Sequence, residues 1–245
     1  GNMLTLESVS MSSDGVLVTL DVHGKAYIYN FEERYFVPLF AGKGNEALDL
    51  DIISVGNQGS IWAVDVDSKT LYQHTEAEGW IVREKGIAVN VAVGVDGTVV
   101  ALNDAGKPYI LTAPGKWDKI GDKPMLSIAV GSKEHIWAVT KDNRLVSYVN
   151  DAWTELKGAG DKPAAACKDV AVNAAGTVFV LASDDDVYHK GEDGFIITAP
   201  ATKAFTADIA KGLVDNESSV AQENENVAKV GQKAGKKAAG KKAAV

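Results

Sequence analysis

A twelve-residue window recurs five times along this chain without an internal gap. The copies are VSMSSDGVLVTL (9–20), ISVGNQGSIWAV (53–64), VAVGVDGTVVAL (91–102), IAVGSKEHIWAV (128–139) and VAVNAAGTVFVL (170–181). They begin 44, 38, 37 and 42 residues apart. A unit of about 40 residues is too small to bury an apolar face alone, so tandem copies of that length are typical of propellers and solenoids. The window therefore constrains the fold more than any other feature of the sequence.

Each copy continues in register through two further apolar runs. Seven or eight residues beyond the window lie Tyr27, Tyr72, Tyr109, Val146 and Tyr188. Seven or eight residues further lie the late aromatics, which are Tyr35, Trp80, Trp117, Trp153 and Phe195. Asp-Gly pairs and single glycines separate these short runs, which are rich in Val, Ile and aromatic residues. The pattern predicts one four-stranded antiparallel meander per repeat, and hence an all-β propeller.

The segment after the fifth repeat allows two interpretations. Residues 208–212 (DIAKG) resemble the start of another first strand, which would give a six-bladed ring with a degenerate last blade. Phe205, Ile209 and Leu213 are instead spaced by four, as on one face of a helix. We favour five blades followed by this helix. The predicted domains are a propeller over 1–204, an amphipathic helix or degenerate sixth blade over 205–228, and a disordered Lys/Ala/Gly-rich tail over 229–245.

Charge is distributed unevenly along the chain. The formal net charge is −8, yet six Lys and no acidic residue lie from residue 229 onward. Residues 1–228 thus hold 19 basic and 33 acidic residues, and we expect this acidic body to repel nucleic acid. The tail is expected to attract an anionic partner such as a filament, a membrane surface or a nucleic acid.

The sequence also bears on the compartment. No stretch approaches the roughly 20 continuous apolar residues of a membrane helix, and no leader opens the sequence. Cys167 is the only cysteine, so no disulfide can form within one chain. We expect a cytoplasmic protein, or a secreted one if a leader has been removed. Gly1 is expected to be the remnant of a cleaved tag, with N-myristoylation as the alternative.

The middle repeats resemble a known family. The pattern I-x-V-G, W-A-V, [LV]-Y and G-x-W is similar to the tectonin repeat, a propeller blade of lectin-like proteins and of some intracellular adaptors. The best matches are residues 53–80 and 128–156, and the resemblance covers about residues 9–200. The first repeat departs from the pattern, with Val18 in the Trp place. The resemblance implies a β-propeller whose members commonly bind sugars, usually in six-bladed rings.

The repeated aromatic residues are expected to serve two purposes. Those predicted to fill the blade core are Trp62, Trp137, Phe179, Tyr72, Tyr109 and Tyr188. The late aromatics follow a tight turn at the outer part of each blade, where a ring can be half exposed. Sugars have apolar C–H faces that stack on such rings. We therefore predict ligand binding at Trp80, Trp117, Trp153, Tyr35 and Phe195.

Sequence motifs give little support for catalysis. The four His residues fall at different places in their repeats, and no HExxH, GxSxG or paired-cysteine motif is present. We predict that the chain is not an enzyme and has no catalytic residues, metal ligands or cofactor. The favoured function is a lectin-like, glycan-binding propeller. The alternative is an intracellular scaffold that docks a protein partner while its basic tail contacts an anionic one. An oligomer is compatible with either function.

Overall fold

The structure is a computed structural model that describes residues 5–39, 41–42, 48–156, 166–183, 185, 187–190 and 196–198. A compact unit of residues 1–198 contains every described residue. Our predictions for the helix or sixth blade over 205–228, for the tail over 229–245 and for Phe195 therefore fall outside the described residues.

Five four-stranded antiparallel sheets follow one another along the chain, and within each sheet the strands pair in chain order. Blade 1 is β1 (Leu6–Met11), β2 (Leu17–Asp21), β3 (Ala26–Asn30) and β4 (Tyr35–Pro38). Blade 2 is β5 (Ile52–Val55), β6 (Ile61–Asp65), β7 (Thr70–Thr75) and β8 (Gly79–Glu84). Blade 3 is β9 (Ala88–Val93), β10 (Val99–Asn103), β11 (Pro108–Ala113) and β12 (Lys116–Lys119). Blade 4 is β13 (Met125–Ser132), β14 (His135–Thr140), β15 (Leu145–Val149) and β16 (Ala152–Glu155). Blade 5 is β17 (Cys167–Val172), β18 (Val178–Ala182), β19 (Val187–Lys190) and β20 (Ile196–Thr198).

The predicted five-bladed propeller of four-stranded antiparallel blades is confirmed. Each twelve-residue window forms the first two strands of a blade together with the turn between them. That turn holds a glycine at the same place in four blades, because its backbone is left-handed there; φ is +89° at Gly15 and +82° at Gly97. Helical structure among the described residues is limited to a 3-10 turn at Asn57–Gly59, and none of it is long and apolar enough to cross a bilayer.

Adjacent blades bury their apolar residues against each other. We call the face of a blade that packs on the preceding blade its leading face, and the opposite one its trailing face. Trp62 and Leu71, on the trailing face of blade 2, pack with Val91 and Val99, on the leading face of blade 3. Trp137 packs in the same way between blades 4 and 5. Alternation along each strand thus gives every interior blade two apolar faces.

The residues predicted for the blade core differ in how deeply they are buried. Trp62, Trp137 and Tyr72 are buried, whereas Tyr109 and Tyr188 are half-buried. Phe179 is 45% exposed on the trailing face of blade 5, although it occupies the same place as Trp62, which is 4% exposed. The trailing face of blade 5 therefore lacks, among the described residues, the cover that Trp62 receives from blade 3.

The leading face of blade 1 is exposed in the same way. Val9 is 69% exposed, whereas its counterpart on blade 2, Ile53, is 7% exposed. Met11 is also exposed, and the equivalent Val55 is buried. The four interior junctions are thus packed, while the two outer faces of the series present apolar side chains.

Glycines at the ends of the first strands allow neighbouring blades to approach closely. A Cβ on Gly56 would lie 2.6 Å from the carbonyl oxygen of Gly94, and a Cβ on Gly131 would lie 2.2 Å from that of Asn173. Gly56, Gly94 and Gly131 occupy the same position of the window. The glycine of the repeated Val-Gly motif therefore lies where the backbones of consecutive blades are in contact.

Side chains of the inner strands also bond from blade to blade. The N–H of Val55 in blade 2 donates to Ser10 Oγ in blade 1 at 3.1 Å, and the N–H of Val93 in blade 3 donates to Ser54 Oγ in blade 2 at 3.0 Å. In the turns, the N–H of Lys133 donates to the carboxylate of Asp96 at 2.8 Å. Burial would raise the pKa of Asp96, but this bond and one from Thr98 lower it below its usual value.

Candidate ligand cleft at Trp117

The late aromatics have different surroundings although they share a sequence position. Trp80 is 4% exposed in the core between blades 1 and 2, with its ring 5.0 Å from that of His74. Tyr35 is 51% exposed on blade 1. Trp117 and Trp153 are half-buried, each packed against the preceding blade. The structure therefore does not bring the four described late aromatics together into one site.

Trp117 and Trp153 differ in what their indole nitrogens contact. The Nε1–H of Trp153 donates to the carbonyl oxygen of Ile120, in the segment between blades 3 and 4, at 2.8 Å. The Nε1 of Trp117 is buried and has no hydrogen-bond partner among the described residues. A buried donor without a partner costs about 1–3 kcal/mol. Trp117 is thus the late aromatic that still has a hydrogen bond to make.

Trp117 stands between two cavities in the cleft that separates blades 2 and 3. One cavity, of about 370 Å³, is also lined by Glu84, Asn103 and Tyr109. The other, of about 330 Å³, is also lined by Trp62, Gln73 and Arg83. The rings of Trp62 and Trp117 meet edge to face, with centroids 6.3 Å apart and planes at 86°. We call these two cavities and the residues that line them the Trp117 cleft.

Two β-bulges shape the Trp117 cleft. In the pairing of β7 with β8, Leu71 lies opposite Glu84 and Tyr72 lies opposite Val82, so Arg83 is an extra residue. Without that extra residue Arg83 and Glu84 would point to opposite faces of the blade; with it, both line the cleft. A second register shift, between Leu111 and Ala113, lies where β11 pairs with β12 beside Trp117. Bulges are common next to functional sites because they redirect side chains.

Sequence reasoning predicted Trp117 but missed Arg83 and Glu84. A bulge depends on the pairing of two strands, so local alternation in one strand cannot show it. The visible signal was a pair of adjacent opposite charges at the end of β8, directly before the next repeat begins.

A separate cavity of about 650 Å³ is lined by the five innermost strands, and we call it the central channel. The residues immediately before the windows of blades 3, 4 and 5 are Asn90, Ser127 and Asp169, and all three line it. They occupy equivalent positions on consecutive inner strands. Ser127 Oγ is buried without a partner among the described residues, and Asp169 is the one ionisable residue among the described ones that line the channel.

The described residues contain no group of three or more His, Cys, Asp or Glu side chains that could hold a metal ion.

Sequence comparisons are negative for this chain: no protein-family model matches it, and no curated protein matches it. The resemblance to tectonin repeats is therefore not confirmed.

Solved structures do resemble it. A catalytically inactive virginiamycin B lyase from Staphylococcus aureus with quinupristin matches with a TM-score of 0.61 at 15% identity, over 82% of this chain and 71% of that chain. A proposed gluconolactonase matches with a TM-score of 0.57 at 13% identity, over 81% and 79%. YCF48 bound to a D1 peptide matches with a TM-score of 0.53 at 12% identity, over 80% and 67%. At these identities the likeness shows the propeller fold alone.

These neighbours correct our prediction of function. We predicted a lectin-like protein that is not an enzyme, whereas the similar structures include virginiamycin B and streptogramin B lyases and a proposed gluconolactonase, which are enzymes and not lectins. The prediction was wrong because it drew a function from repeated aromatics that mainly pack blade against blade. One propeller architecture supports many functions.

Proposed function

We propose that this chain binds a small organic molecule in the Trp117 cleft, one that carries an apolar group next to a carbonyl oxygen. The observation that carries the proposal is the buried, unpartnered Nε1–H of Trp117 between two cavities. A carbonyl in the cleft would accept that hydrogen bond after a small shift of the side chains that now cover Nε1, and the loss of an unsatisfied donor would favour binding.

The size and lining of the cleft support the proposal. Each cavity lies within the range of about 300–1,000 Å³ that is usual for small-molecule sites. Aromatic walls from Trp62, Trp117 and Tyr109 offer apolar contact, while Gln73 and Asn103 offer polar groups that fix an orientation. Among the similar structures, one holds quinupristin and another a peptide, so propellers of this fold do bind such ligands.

The proposal predicts a selective change at one of the five tryptophans of the chain. With ¹⁵N-labelled tryptophan, the five indole N–H signals can be followed while phenylalanine derivatives and lactones are added at millimolar concentration. We expect at least one ligand to move the Trp117 signal downfield, because its N–H gains an acceptor. The buried Trp80 and Trp137 lie outside the two cavities, and their signals are expected to stay in place.

Two variants complete this experiment. Trp117→Phe identifies the signal and removes the donor, so it should weaken binding. Trp153→Phe is the matched control, because Trp153 holds the same repeat position and already donates to Ile120. An unchanged Trp117 signal across the whole panel, or equal movement of all five signals, would contradict binding in the cleft.

A second candidate function is turnover of a small substrate in the central channel. The observation that favours it is Asp169, an exposed carboxylate that lines the same channel as Asn90 and the buried hydroxyl of Ser127. A carboxylate in such a place can act as a general base on water, with the neighbouring polar groups orienting the substrate. The lyases and the proposed gluconolactonase among the similar structures support a search for activity.

This candidate predicts hydrolysis of a lactone. Gluconolactone and simple aliphatic lactones can be assayed with a pH indicator against the spontaneous rate. We expect faster hydrolysis of at least one lactone, and a loss of about 100-fold in Asp169→Asn, as is usual when a general base is removed. Asp185→Asn is the control, because Asp185 is exposed and paired with Lys168 outside the channel. No acceleration, or full activity in Asp169→Asn, would exclude this role.

A further inference from the structure

The Trp117 cleft carries one charge of each sign. Arg83 lines the cavity that contains Trp62, and Glu84 lines the cavity that contains Tyr109. Trp117 lines both cavities, and so stands between them. The bulge in β8 is what gives both charges to the same side of the blade. Arg83 and Glu84 are consecutive residues on the same side of the blade, so a ligand beside Trp117 would meet a cation and an anion next to each other.

Arg83 forms a hydrogen bond with an uncharged side chain. Its Nε donates to the side-chain oxygen of Gln73 at 2.9 Å, and that partner is uncharged. Lys69, by contrast, is paired with the carboxylate of Asp104 at 3.1 Å. The ion pairs recorded for the described part of the chain include neither Arg83 nor Glu84.

The anchored guanidinium suits a carboxylate. The bond through Nε fixes the plane of the group, and its Nη atoms can then donate two parallel hydrogen bonds to the oxygens of one carboxylate. Beside this guanidinium, the half-buried Glu84 can accept a hydrogen bond from an ammonium group.

The geometry points to a zwitterionic ligand of the amino-acid class, with its carboxylate between Arg83 and the indole N–H of Trp117, its ammonium toward Glu84 and its apolar side chain against the aromatic walls of the cleft. This inference rests on the proposed binding function and names the chemical class of the ligand. It makes Arg83 and Glu84 the residues that determine specificity in the Trp117 cleft.

Four phenylalanine derivatives test the inference with one constant ring. They are phenylalanine (both charges), N-acetylphenylalanine (carboxylate only), phenylalanine amide (ammonium only) and N-acetylphenylalanine amide (neither charge). Their dissociation constants can be measured from the indole signal of Trp117. We expect phenylalanine to bind most tightly and the neutral compound most weakly. Each charge should contribute up to about tenfold, since Arg83 is exposed and its interaction is screened by solvent.

Variants show which residue binds each charged group of the ligand. Arg83→Gln should weaken phenylalanine and N-acetylphenylalanine by about tenfold and leave the two amides unchanged. Glu84→Gln should weaken only the two compounds that carry an ammonium group. Lys85→Gln is the matched control, because it removes a positive charge from the next exposed position without touching either cavity. Unchanged indole signals in the free variants establish that each remains folded.

The outcomes separate this inference from the function on which it rests. If neither these four compounds nor the lactones move the Trp117 signal, the proposed binding function itself fails. If all four bind equally, or Arg83→Gln weakens charged and neutral compounds alike, the cleft binds ligands but does not select a zwitterion. That second result would overturn the inference alone.

Discussion

Ile53→Asp is expected to cost about 3–5 kcal/mol of unfolding free energy, because it leaves an uncompensated charge in a packed junction between blades. Val9→Asp is the matched substitution at the same window position of blade 1. Val9 is 69% exposed whereas Ile53 is 7% exposed. Val9→Asp should therefore change the free energy of unfolding by no more than about 0.5 kcal/mol. Urea unfolding followed by tryptophan fluorescence measures both values.

The comparison between Val9 and Ile53 tests the exposed outer face directly. Equal losses in the two variants would show that the leading face of blade 1 is covered in solution. A conservative pair, Val9→Ala and Ile53→Ala, separates burial from charge. Truncating the buried Ile53 should cost about 2–5 kcal/mol, and truncating the exposed Val9 much less.

Gly131→Ala is expected to lower the free energy of unfolding by about 1–3 kcal/mol, because the added methyl group forces the backbone to shift. The added Cβ would lie 2.2 Å from the carbonyl oxygen of Asn173, which is backbone and cannot rotate away. Blades 4 and 5 would have to separate at their inner edges. Thermal unfolding of the variant gives this loss of stability, which can be compared with that of a glycine that lies in open space.

Gly97→Ala provides that reference. Gly97 has φ of +82° and nothing within 4 Å of an added Cβ, so only the cost of a left-handed alanine applies. That cost is about 1–2 kcal/mol. The backbone of Gly131 is not left-handed, so alanine has no such conformational cost there. The loss of stability in Gly131→Ala therefore measures the contact with blade 5 alone. A Gly131→Ala variant as stable as the unsubstituted protein would mean that the inner strands are not in contact.

Much of the fold could be predicted from the sequence because its repeat is both local and ungapped. Strand alternation within twelve residues places Trp62 and Trp137 on the trailing faces of their blades, where the structure buries them. Turn glycines such as Gly15 mark the hairpins, since a left-handed backbone favours glycine. Five copies give five blades, and no longer-range information was needed.

The candidate site could be predicted only in part, because it depends on what each residue meets across a junction. Trp117 and Trp153 hold the same repeat position, yet only Trp153 finds the carbonyl of Ile120. The placement of Arg83 and Glu84 along the cleft follows from a register shift between two strands, which no single-strand pattern reveals. Repetition predicts what the blades share, whereas the site arises where one blade differs from the others.

The equivalence of the blade junctions has a consequence for how such a protein can change over evolutionary time. Every interior junction joins the same window positions, and the exposed Val9 and Phe179 occupy those same positions at the two outer faces. Energetically, an array of this kind is close to a sum of units and nearest-neighbour interfaces. A duplicated blade would therefore arrive with both of its complementary surfaces already present. The number of blades can then change by the gain or loss of a complete blade, and no new hydrophobic core has to evolve.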